Sequence, residues 1–86
     1  MYLIVVYDVD VSRVNSVRKT LRQFLNWIQN SVFEGELAES DFLELKDRLK
    51  KITKGEDSII FFKFKAKYSF EKIIVGKDKS PVDNLI

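Results

Sequence analysis

The sequence predicts an α+β fold, and three observations carry that prediction. Residues 2–7 and 58–66 are dense in β-branched and aromatic side chains and apolar on both alternating faces, as expected of central strands covered on two sides. Two other stretches repeat apolar residues at intervals of three and four, the spacing of an amphipathic helix. The elements follow one another as strand, helix, a short strand pair, helix and strand.

The first strand reads Tyr-Leu-Ile-Val-Val-Tyr and runs into Asp8-Val9-Asp10. Ser12 is the expected N-cap of the first helix. In that helix Val14, Val17, Leu21, Phe24 and Leu25 form one apolar stripe, with Arg18, Lys19 and Arg22 off it. Residues 27–37 are strand formers interrupted by Gln29-Asn30-Ser31, which reads as two short strands turning near Asn30 in preference to one bent strand. Glu39-Ser40-Asp41 opens a second helix with Phe42, Leu45, Leu49 and Ile52 on its stripe. Its acids come early and Lys46, Arg48, Lys50 and Lys51 late, which suits the helix dipole. Gly55 is the expected C-terminal cap. Residues 72–75 give a last short strand before Gly76.

With right-handed crossovers this order gives the split βαβ arrangement, a ferredoxin-like βαββαβ antiparallel sheet with both helices on one face and an extra short C-terminal strand. The domain is expected to span residues 1–76. Residues 77–86 form a tail that ends in Val82, Leu85 and Ile86 and is expected to dock on its own protomer or on a partner protomer. Two helices cannot cover both faces of this sheet, because Tyr2, Ile4 and Val6 are as apolar as Leu3, Val5 and Tyr7. A homodimer through the open sheet face is the expected cover.

Composition narrows the chemistry. The 86 residues include no Cys and no His. Disulfide scaffolds, zinc ribbons, thiol nucleophiles, imidazole bases and His-ligated metals are therefore excluded. Phosphodiester chemistry would have to rest on carboxylates, Lys, Tyr, Ser or a hard cation held by oxygen. No apolar run approaches the roughly 20 residues that span a bilayer, and the first residues do not resemble a signal peptide, so no membrane role and a cytoplasmic location are expected.

The net charge of +2 conceals a pattern. Residues 1–33 carry +2, residues 34–45 carry −5 with no base, and residues 46–86 carry +5. A basic face is compatible with phosphate binding, and on charge alone the simpler reading is the solvated surface of a small protein.

Asp8, directly after an apolar strand, is the first candidate for a functional carboxylate. Oxygen ligation of Mg²⁺, or of Mn²⁺ in its place, is the metal chemistry this composition leaves open, and two copies of Asp8 across a dimer axis would make a clamp able to activate water. Asp10 reads as a turn or capping residue. Ser31 could orient a water or a phosphate but has no His to activate it, and Phe33 reads by default as packing. Arg13, Arg18, Lys19 and Arg22 on the first helix are candidate phosphate contacts. So are Lys63, Lys65 and Lys67, which project to one side of their strand and would equally protect an edge.

Two segments together resemble a known family. Tyr2-Leu-Ile-Val-Val-Tyr-Asp8, followed some twenty residues later by Asn26-Trp-Ile-Gln29-Asn-Ser31-Val-Phe33-Glu34-Gly35-Glu36-Leu37, is similar to the small CRISPR-associated Cas-two proteins, with a likeness in length, element order and motif spacing over nearly the whole chain. The resemblance implies a ferredoxin-like homodimer in which Asp8 binds a divalent cation shared across the two-fold. It also implies endonuclease activity on single-stranded RNA or duplex DNA, and a place at the centre of the CRISPR spacer-acquisition complex beside the integrase subunit. The basic surface would then lie along DNA, and the C-terminal segment would add to the partner's sheet.

Two functional classes follow. One is a Mg²⁺-dependent endonuclease acting in CRISPR defence, with paired Asp8 carboxylates holding the ion and Ser31 and Phe33 shaping the catalytic site. The other is a non-catalytic DNA-binding scaffold of the integrase complex, in which Asp8 serves the dimer interface. An RNA-binding domain of RRM type lacks its aromatic signature here, and a toxin ribonuclease of VapD type shares the fold.

Overall fold

The computed structural model describes residues 1–66 and 69–79. The elements are β1 (Tyr2–Asp8), α1 (Val11–Arg22), β2 (Asn26–Gln29), β3 (Val32–Glu36), α2 (Glu39–Ile52), β4 (Ser58–Ala66) and β5 (Ser69–Gly76). The strands form one sheet in the order β2-β3-β1-β4-β5, and every neighbouring pair is antiparallel. This is the α+β, ferredoxin-like arrangement, with β1 at the centre. The hairpin reading of residues 27–37 is the one observed, turning at Asn30, which adopts the left-handed conformation with φ of 42°.

Alternation across the pleat divides the sheet into two apolar faces. Leu3, Val5, Tyr7, Phe33, Ile59 and Phe61 are buried and share a core with Val17 and Leu21 of α1 and Phe42, Leu45 and Leu49 of α2. Phe42 meets Phe61 edge to face, with ring centroids 5.3 Å apart. The opposite face carries Tyr2, Ile4 and Val6 in register with Phe64, Phe62 and Ile60. No helix covers it. Phe70 joins Phe62 and Phe64 there at centroid distances of 5.7 and 5.6 Å, and Tyr2 lies 6.2 Å from Phe64.

Four local expectations are corrected. Asp10, not Ser12, caps α1: its Oδ2 accepts from the Ser12 backbone N–H at 3.0 Å and the Ser12 hydroxyl at 2.5 Å. A carboxylate there satisfies an orphan amide and carries the charge the helix N-terminus favours. Gly55 does not cap α2, which closes at Thr53 in extended conformation. Gly55 instead takes φ of 56° in the turn into β4. The last strand is long rather than short, spanning Ser69–Gly76, because it pairs along nearly the whole of β4. Finally, the lysines of β4 are already engaged. Lys63 points to the helix side, pairs with Glu39 at the start of α2 at 3.2 Å and lies over the Phe42 ring, while Lys65 pairs with Glu71 at 2.9 Å. Lys67 lies outside the described residues, as do residues 80–86, which include Val82, Leu85 and Ile86.

Candidate active site

Asp8 is the last residue of β1, opposite Ser58 of β4. By pleat parity it shares the open sheet face with Tyr2, Ile4 and Val6. Its carboxylate is 77% exposed and 3.1 Å from the Nζ of Lys79, just beyond β5. Beside it a cleft of about 310 Å³ is lined by Asp8, Asp10, Arg13, Asp57 and Lys79 among others.

The wall of that cleft is built on Asp57, which the sequence reading passed over. Asp57 is buried, 3% exposed, and its carboxylate accepts four hydrogen bonds. Arg13 donates from Nε to Oδ2 at 2.5 Å and from Nη2 to Oδ1 at 3.2 Å. The backbone N–H groups of Asp10 and Lys54 donate at 2.8 and 3.0 Å. The Arg13 guanidinium, opposed by burial and helped by the two amides, holds the Asp57 carboxyl well below the usual carboxylate range. The clamp joins α1, the turn before β4 and the Asp8-Asp10 segment, so it fixes the floor from which Asp8 projects. Nothing local announces a pair 44 positions apart in sequence; the only available signal was an Asp placed between a Gly turn and an apolar strand.

Gly76 packs against the Asp57 backbone behind that wall. A Cβ there would lie 2.2 Å from the Asp57 carbonyl oxygen, and the residue sits at φ of 96°. That same carbonyl accepts from the Lys77 N–H at 2.8 Å, and Lys77 pairs with Glu56 at 3.6 Å. The chain leaving β5 is thereby led across the cleft to place Lys79 on Asp8.

The other residues named from sequence lie elsewhere. Phe33 is fully buried on the helix side of the sheet, 6.2 Å from the Tyr7 ring. It is a core residue, and the structure does not bring it to Asp8. Ser31 is half-buried at the β2–β3 turn, where its carbonyl accepts from the Tyr7 N–H at 3.1 Å. Burial raises the Tyr7 phenol above its ordinary value, opposed by the nearby Arg18 and by the Ser31 hydroxyl and Arg22. Ser31, Tyr7, Arg18 and Arg22 thus share one neighbourhood on the helix side, while Asp8 faces the other way. Arg13 has its charge met by Asp57, whereas among the described residues no ion pair engages Arg18, Lys19 or Arg22.

The donor set suits a sparsely held hard cation and nothing more demanding. Among the described residues, no three acidic side chains gather closely enough to hold an ion. Asp10 is committed to Ser12 and Asp57 to Arg13, which leaves Asp8. One exposed carboxylate that already draws the Lys79 ammonium fits a Mg²⁺ or Mn²⁺ that keeps most of its water, and it is too little for a dehydrated cage.

A family model described as CRISPR associated protein Cas2 matches residues 1–72. The chain belongs to the Cas2 family. A Cas2 relative from Methanocaldococcus jannaschii, named CRISPR-associated endoribonuclease Cas2, is 47% identical over 87 residues, covering all of this chain and 76% of that protein. One of the same name from Pyrococcus furiosus is also 47% identical, with all of both chains covered. A solved structure titled as a crystal structure of Cas2 aligns with a TM-score of 0.76 at 53% identity, covering 100% of this chain and 98% of that one. Among the described residues, no helix is long and apolar enough to cross a membrane.

Proposed function

We propose that this Cas2 chain is a divalent-cation-dependent endonuclease that hydrolyses phosphodiester bonds of single-stranded RNA or duplex DNA in CRISPR spacer acquisition, and that it works as a homodimer. The observation that carries the reading is the position of Asp8: an exposed carboxylate at the end of the central strand, on the same face as the exposed Tyr2 and the half-buried Ile4, Val6, Ile60, Phe62 and Phe64, which neither helix covers. A second copy packed on that face covers the apolar side chains and brings a second Asp8 towards the first. The name endoribonuclease carried by the relatives supports the reaction class.

In this reading the cation supplies a Lewis acid and an activated water. The chain's own part is to aim two Asp8 carboxylates at one point, with the Arg13–Asp57 clamp setting the β1–α1 corner behind them. Lys79 supplies a positive charge at the cleft mouth where a phosphodiester enters. Arg18, Lys19 and Arg22 neutralise phosphates further along the strand, so affinity falls steeply with salt.

Cleavage of labelled RNA and duplex DNA with Mg²⁺, by wild type and Asp8→Ala, tests the reading. Activity lost in the variant and in chelator, with the dimer intact by sedimentation, supports it; activity equal in both overturns it. A second reading, a non-catalytic DNA-binding scaffold held beside the integrase subunit, is favoured by the thin donor set around Asp8 and by the separation of Asp8 from Ser31 and Phe33. It expects DNA binding and integrase-subunit binding undiminished in Asp8→Ala, and no cleavage by wild type.

A further inference from the structure

Trp27 is 49% exposed, although its register partner on β3 is Phe33, which is fully buried. The difference comes from the edge of the sheet. The two side chains lie on the same face, but β2 is the outermost strand, so Phe33 sits within the core shared with the helices while much of the indole stays open. The ring is nevertheless held in place. Its Nε1–H donates to the Asn30 carbonyl at 2.9 Å across the β2–β3 turn, where Asn30 takes the left-handed conformation that lets the chain reverse. The indole's only donor is thus spent within the hairpin, and what remains for a partner is the π-face.

The helix packed against its strand is cationic. From Val11 to Phe33 the chain contains no Asp or Glu, while Arg18, Lys19 and Arg22 carry charges that no ion pair among the described residues meets. α1, which bears them, packs against β2. Arg18 and Arg22 also flank the Tyr7 phenol, whose ring lies 6.2 Å from Phe33, the cross-strand neighbour of Trp27. An aromatic face held on a strand that packs against a cationic helix suits single-stranded nucleic acid: the cations meet the backbone and the ring stacks on a base.

Resting on the nucleic-acid reading above, we propose that Trp27 is a base-stacking residue, which gives this chain a preference for single-stranded RNA or DNA, or for the frayed end of a duplex, over a fully paired one. Because Trp27 is the only tryptophan in the chain, its fluorescence reports the contact directly. The experiment titrates the full-length protein with a short oligouridylate and with a duplex of equal length at low salt, following tryptophan emission and, separately, the anisotropy of a dye on the nucleic acid. Stacking quenches the emission in step with binding of the single strand. Trp27→Ala then weakens single-strand binding about tenfold and duplex binding little, and Trp27→Phe recovers most of the loss. Emission unchanged while anisotropy reports a bound single strand overturns the proposal without touching the nucleic-acid reading. Single-strand affinity equal in wild type and Trp27→Ala does the same, as does a Trp27→Ala variant altered only in sedimentation or in integrase-subunit binding, which would make Trp27 a protein contact. A wild-type protein that binds neither single strand nor duplex overturns the nucleic-acid reading itself.

Discussion

The ammonium of Lys79 lies 3.1 Å from the carboxylate of Asp8, so the residue best placed to hold a metal ion already has a cation on it. Any divalent ion that uses Asp8 within one chain has to displace that lysine. Exposed ion pairs are weak, so the competition is modest. Lys79→Ala should tighten Mn²⁺ binding about two- to fivefold, as read by titration calorimetry or by the Mn²⁺ resonance signal. An unchanged dissociation constant would mean that Lys79 does not compete.

The clamp on Asp57 makes a prediction about acid. The Asp57 carboxyl is held below its unfolded value, so its contribution to stability is complete above the ordinary aspartate pKa of about 3.9 and is lost as pH falls from there through the folded value. Thermal unfolding of wild type should therefore steepen in its pH dependence below about pH 4. In Asp57→Asn that dependence should flatten, with melting lowered by several degrees at neutral pH, because the Arg13 guanidinium loses its charged partner. Parallel curves for the two proteins would show that the clamp is not a source of the acid sensitivity.

Gly76 tests the geometry of the same corner. Alanine there must take a positive φ and a Cβ against the Asp57 carbonyl, and neither strain can relax without parting β5 from the turn before β4. We expect Gly76→Ala to cost about 2 kcal/mol or more in chemical denaturation. Gly55 is a useful control: among the described residues nothing lies within 4 Å of an added Cβ, so Gly55→Asn, whose side chain tolerates the left-handed region, should cost far less.

Phe33 separates packing from chemistry. With no exposed surface and the Tyr7 ring beside it, Phe33→Ala should destabilise by about 3–5 kcal/mol, whereas Phe33→Leu should keep most of the stability and the specific activity of the folded fraction. Activity abolished in a well-folded Phe33→Leu protein would return this residue to the catalytic set.

Much of the fold could be read from periodicity. The double-faced apolar pattern of β1 and β4, the stripes Val14-Val17-Leu21 and Phe42-Leu45-Leu49-Ile52, and the turn at Asn30 are local patterns that formed where expected, whereas Phe24 and Leu25, read as the end of the first stripe, lie beyond α1, which closes at Arg22. Asp8 was legible for the same reason, as a charge ending an apolar run. The rest depends on contacts between distant positions. Ser12 and Asp10 both favour caps, and the choice between them turns on Asp57 accepting the Asp10 amide. The stretch of β5 beyond residues 72–75 looks polar in sequence and becomes a strand because β4 offers it an edge to pair with. Arg13 and Lys63 read as free cations in a string of letters, and folding brings each an acid from another element.

The seven unbroken pairs between β1 and β4 have a consequence for how this gene can drift. In a pleated strand the face of each side chain is a matter of odd or even position, so inserting or deleting one residue within β1 would turn Asp8 towards the helices and send Tyr7 out in its place. Substitutions along β1 can be tolerated one at a time, but a change in its length reverses everything downstream of it. The reading frame of the strand, more than the identity of its apolar residues, keeps the carboxylate on the outer face.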